Sequence, residues 1–139
     1  MVDPALINSG DFKSIEELTR TAVYTMLGFE LAHIGINESD ETEADNTAKF
    51  FSNIFGFAYK PGNSSVFAGS FVEAMKKPYL GTHGHIAIRT NYIDRAVYFL
   101  KSNGIKFNDG SAKYNDKGKM TAVYLENEIG GFAVHLVQK

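Results

Sequence analysis

A short alternating pattern of hydrophobic and polar residues occurs twice along the chain. Residues 33–37 read His-Ile-Gly-Ile-Asn, and residues 85–89 read His-Ile-Ala-Ile-Arg. A period of two predicts a β-strand with the histidine, a small residue and a polar residue on one face and two isoleucines on the other. A helical pattern ending in glycine follows each copy, and further strand-like segments follow each helix. The pattern predicts a duplicated unit of one strand, one helix and three strands.

The first unit is predicted to occupy residues 29–80. Its opening strand, 29–37, is followed by five acidic residues within 38–45. These residues are compatible with a cation-binding loop, but they favour the first turn of a helix, whose free amides attract negative charge. The helix is predicted to end at Gly56. Short strands are predicted over 57–60, 65–68 and 70–75.

The second unit is predicted to occupy residues 81–139. After the strand at 85–89, Asn91 is the predicted N-cap of a helix that ends at Asn103–Gly104. Asp109–Gly110 is a predicted turn. Strands are predicted over 105–108, from 113, over 120–125 and over 132–137.

Residues 1–28 lie outside the duplication and predict a helical N-terminal appendage. Apolar residues recur three or four positions apart from Ile15 to Leu27, which is typical of an amphipathic helix, and Gly28 would end it. Ser14 and Glu17 have the spacing of a capping box.

Composition narrows the class of protein. The 139 residues are 44% hydrophobic, which suffices for one domain with a core. A net charge of −2 argues against a nucleic-acid partner, and the absence of cysteine excludes a thiol nucleophile or a cysteine zinc site. No apolar run approaches the roughly 20 residues of a membrane span, so a cytoplasmic location is expected.

Polar residues of the two predicted units occupy matching places. Glu73 and His135 each lie within an otherwise apolar last strand, as His33 and His85 lie within the first strands. A buried carboxylate needs a proton, a cation or a metal as partner. A single strand histidine is often only a core or surface residue. Together, the four side chains predict a divalent metal site.

Residues 29–139 resemble the vicinal oxygen chelate superfamily, in particular the glyoxalase I and bleomycin-resistance group. The resemblance is carried by the two histidine strands, by Val72-Glu73 and by the segment 131–136, Gly-Phe-Ala-Val-His-Leu. It implies an α+β fold in which two tandem βαβββ modules, here 29–80 and 81–139, form an open, cup-shaped mixed sheet around a divalent metal. The family's ligand positions correspond to His33, Glu73, His85 and His135.

His135 departs from the family pattern, since glyoxalase I and many relatives have glutamate there. One carboxylate and three histidines leave a divalent ion with a net charge of 2 − 1 = +1, which strengthens its Lewis acidity but removes one group able to carry a proton. These donors suit Zn, Ni, Co, Mn or Fe. The resemblance implies lyase or isomerase chemistry of the glyoxalase type on a small oxygenated metabolite, with Glu73 as the candidate catalytic base.

Five further side chains are candidate substrate contacts. Asn37 and Arg89 follow the histidines on the inward face by strand alternation, and surface positions are the alternative for both. Tyr59, Phe67 and Tyr124 are expected either to line the cup or to belong to the core.

The N-terminal segment carries a second resemblance. Met1–Ile7, Gly10–Phe12 and the helix that follows are similar to the C-terminal end of a KDPG/KHG (4-hydroxy-2-oxoglutarate) aldolase. This implies a fragment of a fusion protein and an aldolase barrel as partner. The alternatives to a metalloenzyme are a non-catalytic accessory domain of such a fusion and an antibiotic-sequestering binder. Two modules in one chain can close a cup unaided, but paired chains often share modules in the superfamily, so the resemblance leaves a monomer and a homodimer open.

Overall fold

A computed structural model describes residues 3–139, and two βαβββ units follow two N-terminal helices. Met1 and Val2, part of the aldolase-like segment, lie outside the described residues. The N-terminal helices are α1 (Pro4–Asn8) and α2 (Phe12–Leu27). The first unit consists of β1 (Glu30–Asn37), α3 (Glu41–Phe55), β2 (Tyr59–Pro61), β3 (Ser65–Ala68) and β4 (Val72–Met75). The second consists of β5 (Gly84–Thr90), α4 (Ile93–Ser102), β6 (Phe107–Tyr114), β7 (Met120–Leu125) and β8 (Phe132–Gln138).

All eight strands form one mixed sheet in the order β2-β3-β4-β1-β5-β8-β7-β6. The strand that opens each unit pairs in parallel with the strand that closes it, β1 with β4 and β5 with β8. The two opening strands pair antiparallel at the centre of the sheet. The predicted α+β fold of two βαβββ modules is therefore confirmed, and the two histidine strands are direct neighbours.

The N-terminal helix α2 is packed onto the second unit. Leu27, its last residue, is fully buried in a core cluster with Ile93 of α4 and Leu136 of β8. Gly28 ends α2 with a φ of 56°, as predicted. The predicted capping box is wrong: Asp11 is the N-cap, and the Ser14 amide and hydroxyl both donate to its carboxylate.

The two helices of the sheet are capped by different means. In α3 the Asp40 carboxylate accepts from the Glu43 amide, and the acidic residues form the first turn, as predicted. In α4 the predicted cap is wrong, because the side-chain amide of Asn91 donates to the backbone carbonyl of Met26 in α2. Gln138, at the end of β8, accepts from the first amide of α4 instead. This cap comes from the far end of the chain.

The edge strand β6 contains an irregularity where a turn is predicted. Residues 107–114 form one strand, so the predicted turn at Asp109–Gly110 is wrong. The pairing with β7 shifts register between Asn108 and Lys113, as in a β-bulge. After the shift, Lys113 pairs with Ala122.

The two faces of the sheet differ in chemistry. One face carries Val66, Val123 and Leu136, which pack into the two hydrophobic clusters beneath the helices. By strand alternation the opposite face carries the residues one position away, which include the four predicted metal ligands.

Candidate metal centre

The four predicted ligands lie in two rows that cross the central strands. In the first row Gly35 of β1 pairs with Glu73 of β4 on one side and with His85 of β5 on the other. In the second row Ala87 of β5 pairs with His33 of β1 and with His135 of β8. A small residue thus occupies the centre of each row, between two potential ligands.

Gly35 makes room for the imidazole of His85. A Cβ atom at position 35 would lie 2.0 Å from Cε1 of His85, which is far inside van der Waals contact. The His85 ring therefore lies over the backbone of β1, in space that any other residue would fill. Glycine inside a strand often marks such a close approach. The glycine of the repeated pattern was the available signal, but sequence reasoning assigned it no role.

The carboxylate of Glu73 is held by three side chains. Its Oε2 lies 3.1 Å from Nε2 of His33 and 3.1 Å from Nε2 of His85, while Oε1 accepts a 2.6 Å hydrogen bond from Ser65. Burial alone would raise the pKa of Glu73, but these hydrogen bonds outweigh it and hold the pKa well below its usual range. Glu73 is therefore an anion, ready to accept a cation.

His135, in contrast to Glu73, makes no hydrogen bond through its side chain to any of residues 3–139. Its ring stacks on Tyr124, with centroids 4.5 Å apart and planes 13° from parallel. Burial and the neighbouring histidines His85 and His33 lower the pKa of His135 to about 3, so the imidazole is neutral. Both of its ring nitrogens are buried without a hydrogen-bond partner in the part of the chain that the structure describes.

The donor atoms fit a bound metal ion. One nitrogen each from His33, His85 and His135 lie within 4.8 Å of one another. Nε2 of His33 is also 3.1 Å from Nε2 of His85, so these two atoms and the Glu73 oxygen form a triangle with 3.1 Å sides. Metal bonds of about 2.0–2.2 Å to imidazole and carboxylate hold neighbouring donors roughly 3 Å apart. A bound cation would also give one of the two buried nitrogens of His135 a partner.

The four residues open into a cavity of about 400 Å³. Phe67 and Tyr124 line it, as two of the five candidate substrate contacts. Burial raises the pKa of Tyr124 to about 12, so its hydroxyl stays protonated. Sequence reasoning missed the other lining residues, which are Ser64, Met75, Tyr79 and Lys113. The strand pattern does not identify three of them, because Ser64 and Tyr79 lie in loops and Lys113 follows the register shift of β6. Met75 ends β4 two positions after Glu73, so strand alternation was the available signal for it.

The remaining three candidate contacts are engaged elsewhere. The Asn37 side chain bonds to the backbone of Tyr79 and Gly81, fixing the segment between the two units. Arg89 donates to the carbonyl of Ala32, and the Tyr59 hydroxyl bonds to Asp45. None of the three belongs to the cavity lining found among residues 3–139. Asn37 instead acts indirectly, by holding Tyr79 at the cavity wall.

The fold is that of the vicinal oxygen chelate proteins, as solved structures show. A hypothetical protein from Bacillus halodurans C-125 superposes with a TM-score of 0.56 at 15% identity, covering 80% of this chain and 94% of that one. A Streptomyces coelicolor methylmalonyl-CoA epimerase in complex with 2-nitronate-propionyl-CoA has a TM-score of 0.56 at 17% identity, covering 78% and 96%. A methylmalonyl-CoA epimerase in complex with methylmalonyl-CoA and NH4+ also has a TM-score of 0.56 at 17% identity, covering 78% and 93%.

These similarities concern the fold alone. No family model and no curated protein matches the chain. The comparisons give no support to the aldolase resemblance of residues 1–28, and the homodimer stays a prediction. No helix among residues 3–139 is long and apolar enough to cross a membrane.

Proposed function

We propose that the chain binds a divalent metal ion through His33, Glu73, His85 and His135, and that a small oxygenated metabolite binds there through two of its oxygens. The main observation in support is the triangle with 3.1 Å sides that the Nε2 atoms of His33 and His85 form with Oε2 of Glu73. His135 lies beside this triangle as a buried imidazole without a hydrogen-bond partner in the described chain. Neutral imidazoles and one carboxylate are the protonation states that metal binding requires.

The metal would supply Lewis acidity, which stabilises an anion that forms on the chelated ligand. Glu73 is the candidate base, because it is the one carboxylate among the cavity-lining residues that the structure describes. Its lowered pKa makes it a weak base while its present hydrogen bonds persist. A ligand proton that moves to Glu73 therefore has to displace one of those bonds.

The complexes of the structural neighbours are compatible with a carbonyl or carboxylate ligand. Two of these epimerases are complexed with acyl-CoA compounds. For the present chain, this supports small carbonyl compounds and carboxylic acids as the first ligands to test.

A non-catalytic binding domain is the second candidate. The specific observation in its favour is that His135 occupies the position matching Glu73, so that the described lining contains no second carboxylate to return a proton. Such a domain would bind the same class of ligand without turnover.

Metal titration of untagged protein tests the proposal. We expect isothermal titration calorimetry with Zn, Ni, Co, Mn and Fe(II) to reveal one ion per chain. The double variant His33→Ala/His85→Ala should lose at least about 100-fold in affinity, since outer-shell partners alone are worth about 10- to 100-fold. His83→Ala is the matched control, because His83 is the histidine outside the cluster. Metal affinity equal to that of the wild type in the double variant would refute the proposal.

Proton exchange separates the enzyme from the binding domain. Metal-loaded protein is incubated in deuterium oxide with small carbonyl compounds, and NMR follows exchange at the carbon next to the carbonyl. Exchange faster than with the metal ion alone supports catalysis. Tight binding without exchange supports the non-catalytic domain.

A further inference from the structure

The cavity contains one positively charged side chain whose role the metal site does not explain. Lys113 is the only lysine or arginine among the described residues that line it, and Glu73 is the only carboxylate. Glu73 is already engaged by Ser65, His33 and His85. Lys113 takes part in none of the salt bridges that involve residues 3–139. Its ammonium group is available to a ligand.

The register of the sheet directs Lys113 towards the metal site. Lys113 pairs with Ala122 of β7, which pairs with Val137 of β8. Val137 lies two positions from His135, so the row that contains Lys113 runs beside the row of that ligand on the same face. Lys113 and His135 therefore lie in adjacent rows on one face of the sheet, and both line the cavity.

The corresponding place in the first unit has no charged residue. Ser65 of β3 is the counterpart of Ala122. Ser65 lies two positions before Phe67, which pairs with Glu73. Ala122 lies two positions before Tyr124, which pairs with His135. The residue facing Ser65 across the edge of the sheet is Gly62, whose amide donates to the Ser65 carbonyl. Lys60 of β2 pairs with Phe67 but does not belong to the cavity lining. Among the described residues that line the cavity, the one cation therefore lies on the side of the second unit.

The charges in the cavity favour an anionic ligand. A divalent ion, the Glu73 carboxylate and the Lys113 ammonium sum to 2 − 1 + 1 = +2, with the histidines neutral. We infer that the ligand is a small metabolite with a carboxylate or phosphate at the end remote from its two chelating oxygens, and that Lys113 binds this anionic group. The inference rests on the proposed metal site and specifies the ligand class for it.

The shape of the cavity limits the rest of the ligand. About 400 Å³ lies near the lower end of the range for small-molecule sites. Phe67, Tyr79 and Tyr124 form its aromatic wall, which suits a short carbon chain between the chelating end and the anionic end. The ligand class is therefore a short 2-hydroxy or 2-oxo acid with a second acidic group.

Matched ligand pairs test the role of the second acidic group. Malate and 2-hydroxybutyrate share a 2-hydroxy-acid end and differ in a distal carboxylate, while 3-phosphoglycerate and glycerate differ in a distal phosphate. Calorimetry on metal-loaded wild-type protein should give malate or 3-phosphoglycerate at least about tenfold tighter binding than its partner compound, as expected for a charge-assisted hydrogen bond. The pair with the larger ratio identifies carboxylate or phosphate as the preferred group.

Variants assign the preference to Lys113. Lys113→Met should abolish the ratio within the preferred pair, and Lys113→Arg should retain most of it. Lys117→Met, the control, removes the same charge from the exposed turn between β6 and β7. A ratio that persists in Lys113→Met, falls equally in Lys117→Met or is absent from the wild type overturns the inference. Failure of the proposed function is distinguishable, because it appears earlier, as a missing ion in the metal titration.

Discussion

The two βαβββ units place different chemistry at matching positions of the sheet. In the first unit Glu73 is an anion bonded to Ser65, His33 and His85. In the second unit His135 is a neutral ring stacked on Tyr124, with no hydrogen-bond partner among residues 3–139. The two units thus have matching backbone positions, while the side chains around them differ.

The neighbours of the two residues explain the difference. Phe67 pairs with Glu73, and Tyr124 pairs with His135, so an aromatic residue lies next to the candidate metal ligand in both units. The next residue on the same face of the strand, two positions earlier, is Ser65 in the first unit and Ala122 in the second. The hydroxyl of Ser65 stabilises a carboxylate, whereas Ala122 offers no polar group. We therefore expect Glu73 to supply charge to the metal site and His135 to supply an uncharged donor.

Acidification of the metal-free protein should reveal the largest difference between Glu73 and His135, in the pH dependence of the free energy of unfolding. Unfolded His135 takes up a proton near pH 6.5, but folded His135 does so only near pH 3. Between these values the unfolded state binds more protons, so the free energy of unfolding falls as the pH falls, by on the order of a few kcal/mol. Glu73 has the same sign in a lower window: its folded pKa lies below 4.5, so the stability that it contributes is lost as the pH falls below that value.

Two variants separate these windows. Urea unfolding in steps from about pH 7 to about pH 4 should give a flatter profile for His135→Gln above about pH 4.5. Glu73→Gln should keep the wild-type slope in that range and lose it only in stronger acid. Equal slopes for His135→Gln and the wild type would show that the two units do not differ in this way.

Substitution of Gly35 and Ala87, the small residues at the centres of the two rows of candidate ligands, should have the next largest effect on stability and metal affinity. Gly35→Ala places a methyl group 2.0 Å from the His85 ring, so the ring must leave its position. We expect a loss of stability of about 1–3 kcal/mol, as for other overpacked sites, and loss of metal binding. The matched change Ala87→Gly removes a methyl group from the other row. It should cost about 0.5–1 kcal/mol and leave metal affinity largely intact.

Urea unfolding and metal titration measure both variants. Metal binding at wild-type affinity in Gly35→Ala would mean that His85 is not a ligand in its present position. Equal losses of metal affinity in Gly35→Ala and Ala87→Gly would mean that the two rows are equivalent, against the comparison drawn above.

The local pattern of the sequence predicted the strands and the faces of the four candidate ligands. Strand alternation and duplication suffice for His33 and His85, because a period of two fixes which face a side chain occupies. The residues that complete the site depend on pairing between distant segments. Gln138 caps α4 from the end of the chain, and Lys113 reaches the cavity through a register shift. Single-strand periodicity contains no information on cross-strand register, so these roles became visible only in the structure.

Removal of the Ser65 hydroxyl should have the smallest of these effects. Its 2.6 Å hydrogen bond orients Oε1 of Glu73 and leaves Oε2 towards the histidines. Ser65→Ala should therefore weaken metal binding by about tenfold, at the lower end of what outer-shell partners contribute. Ala122→Ser is the reciprocal control, because it adds a hydroxyl beside His135, whose ring nitrogens have no partner in the described chain. This variant should not weaken metal binding. Unchanged affinity in Ser65→Ala would show that the metal site does not depend on this hydroxyl, and that the divergence of Ser65 and Ala122 has no consequence for it.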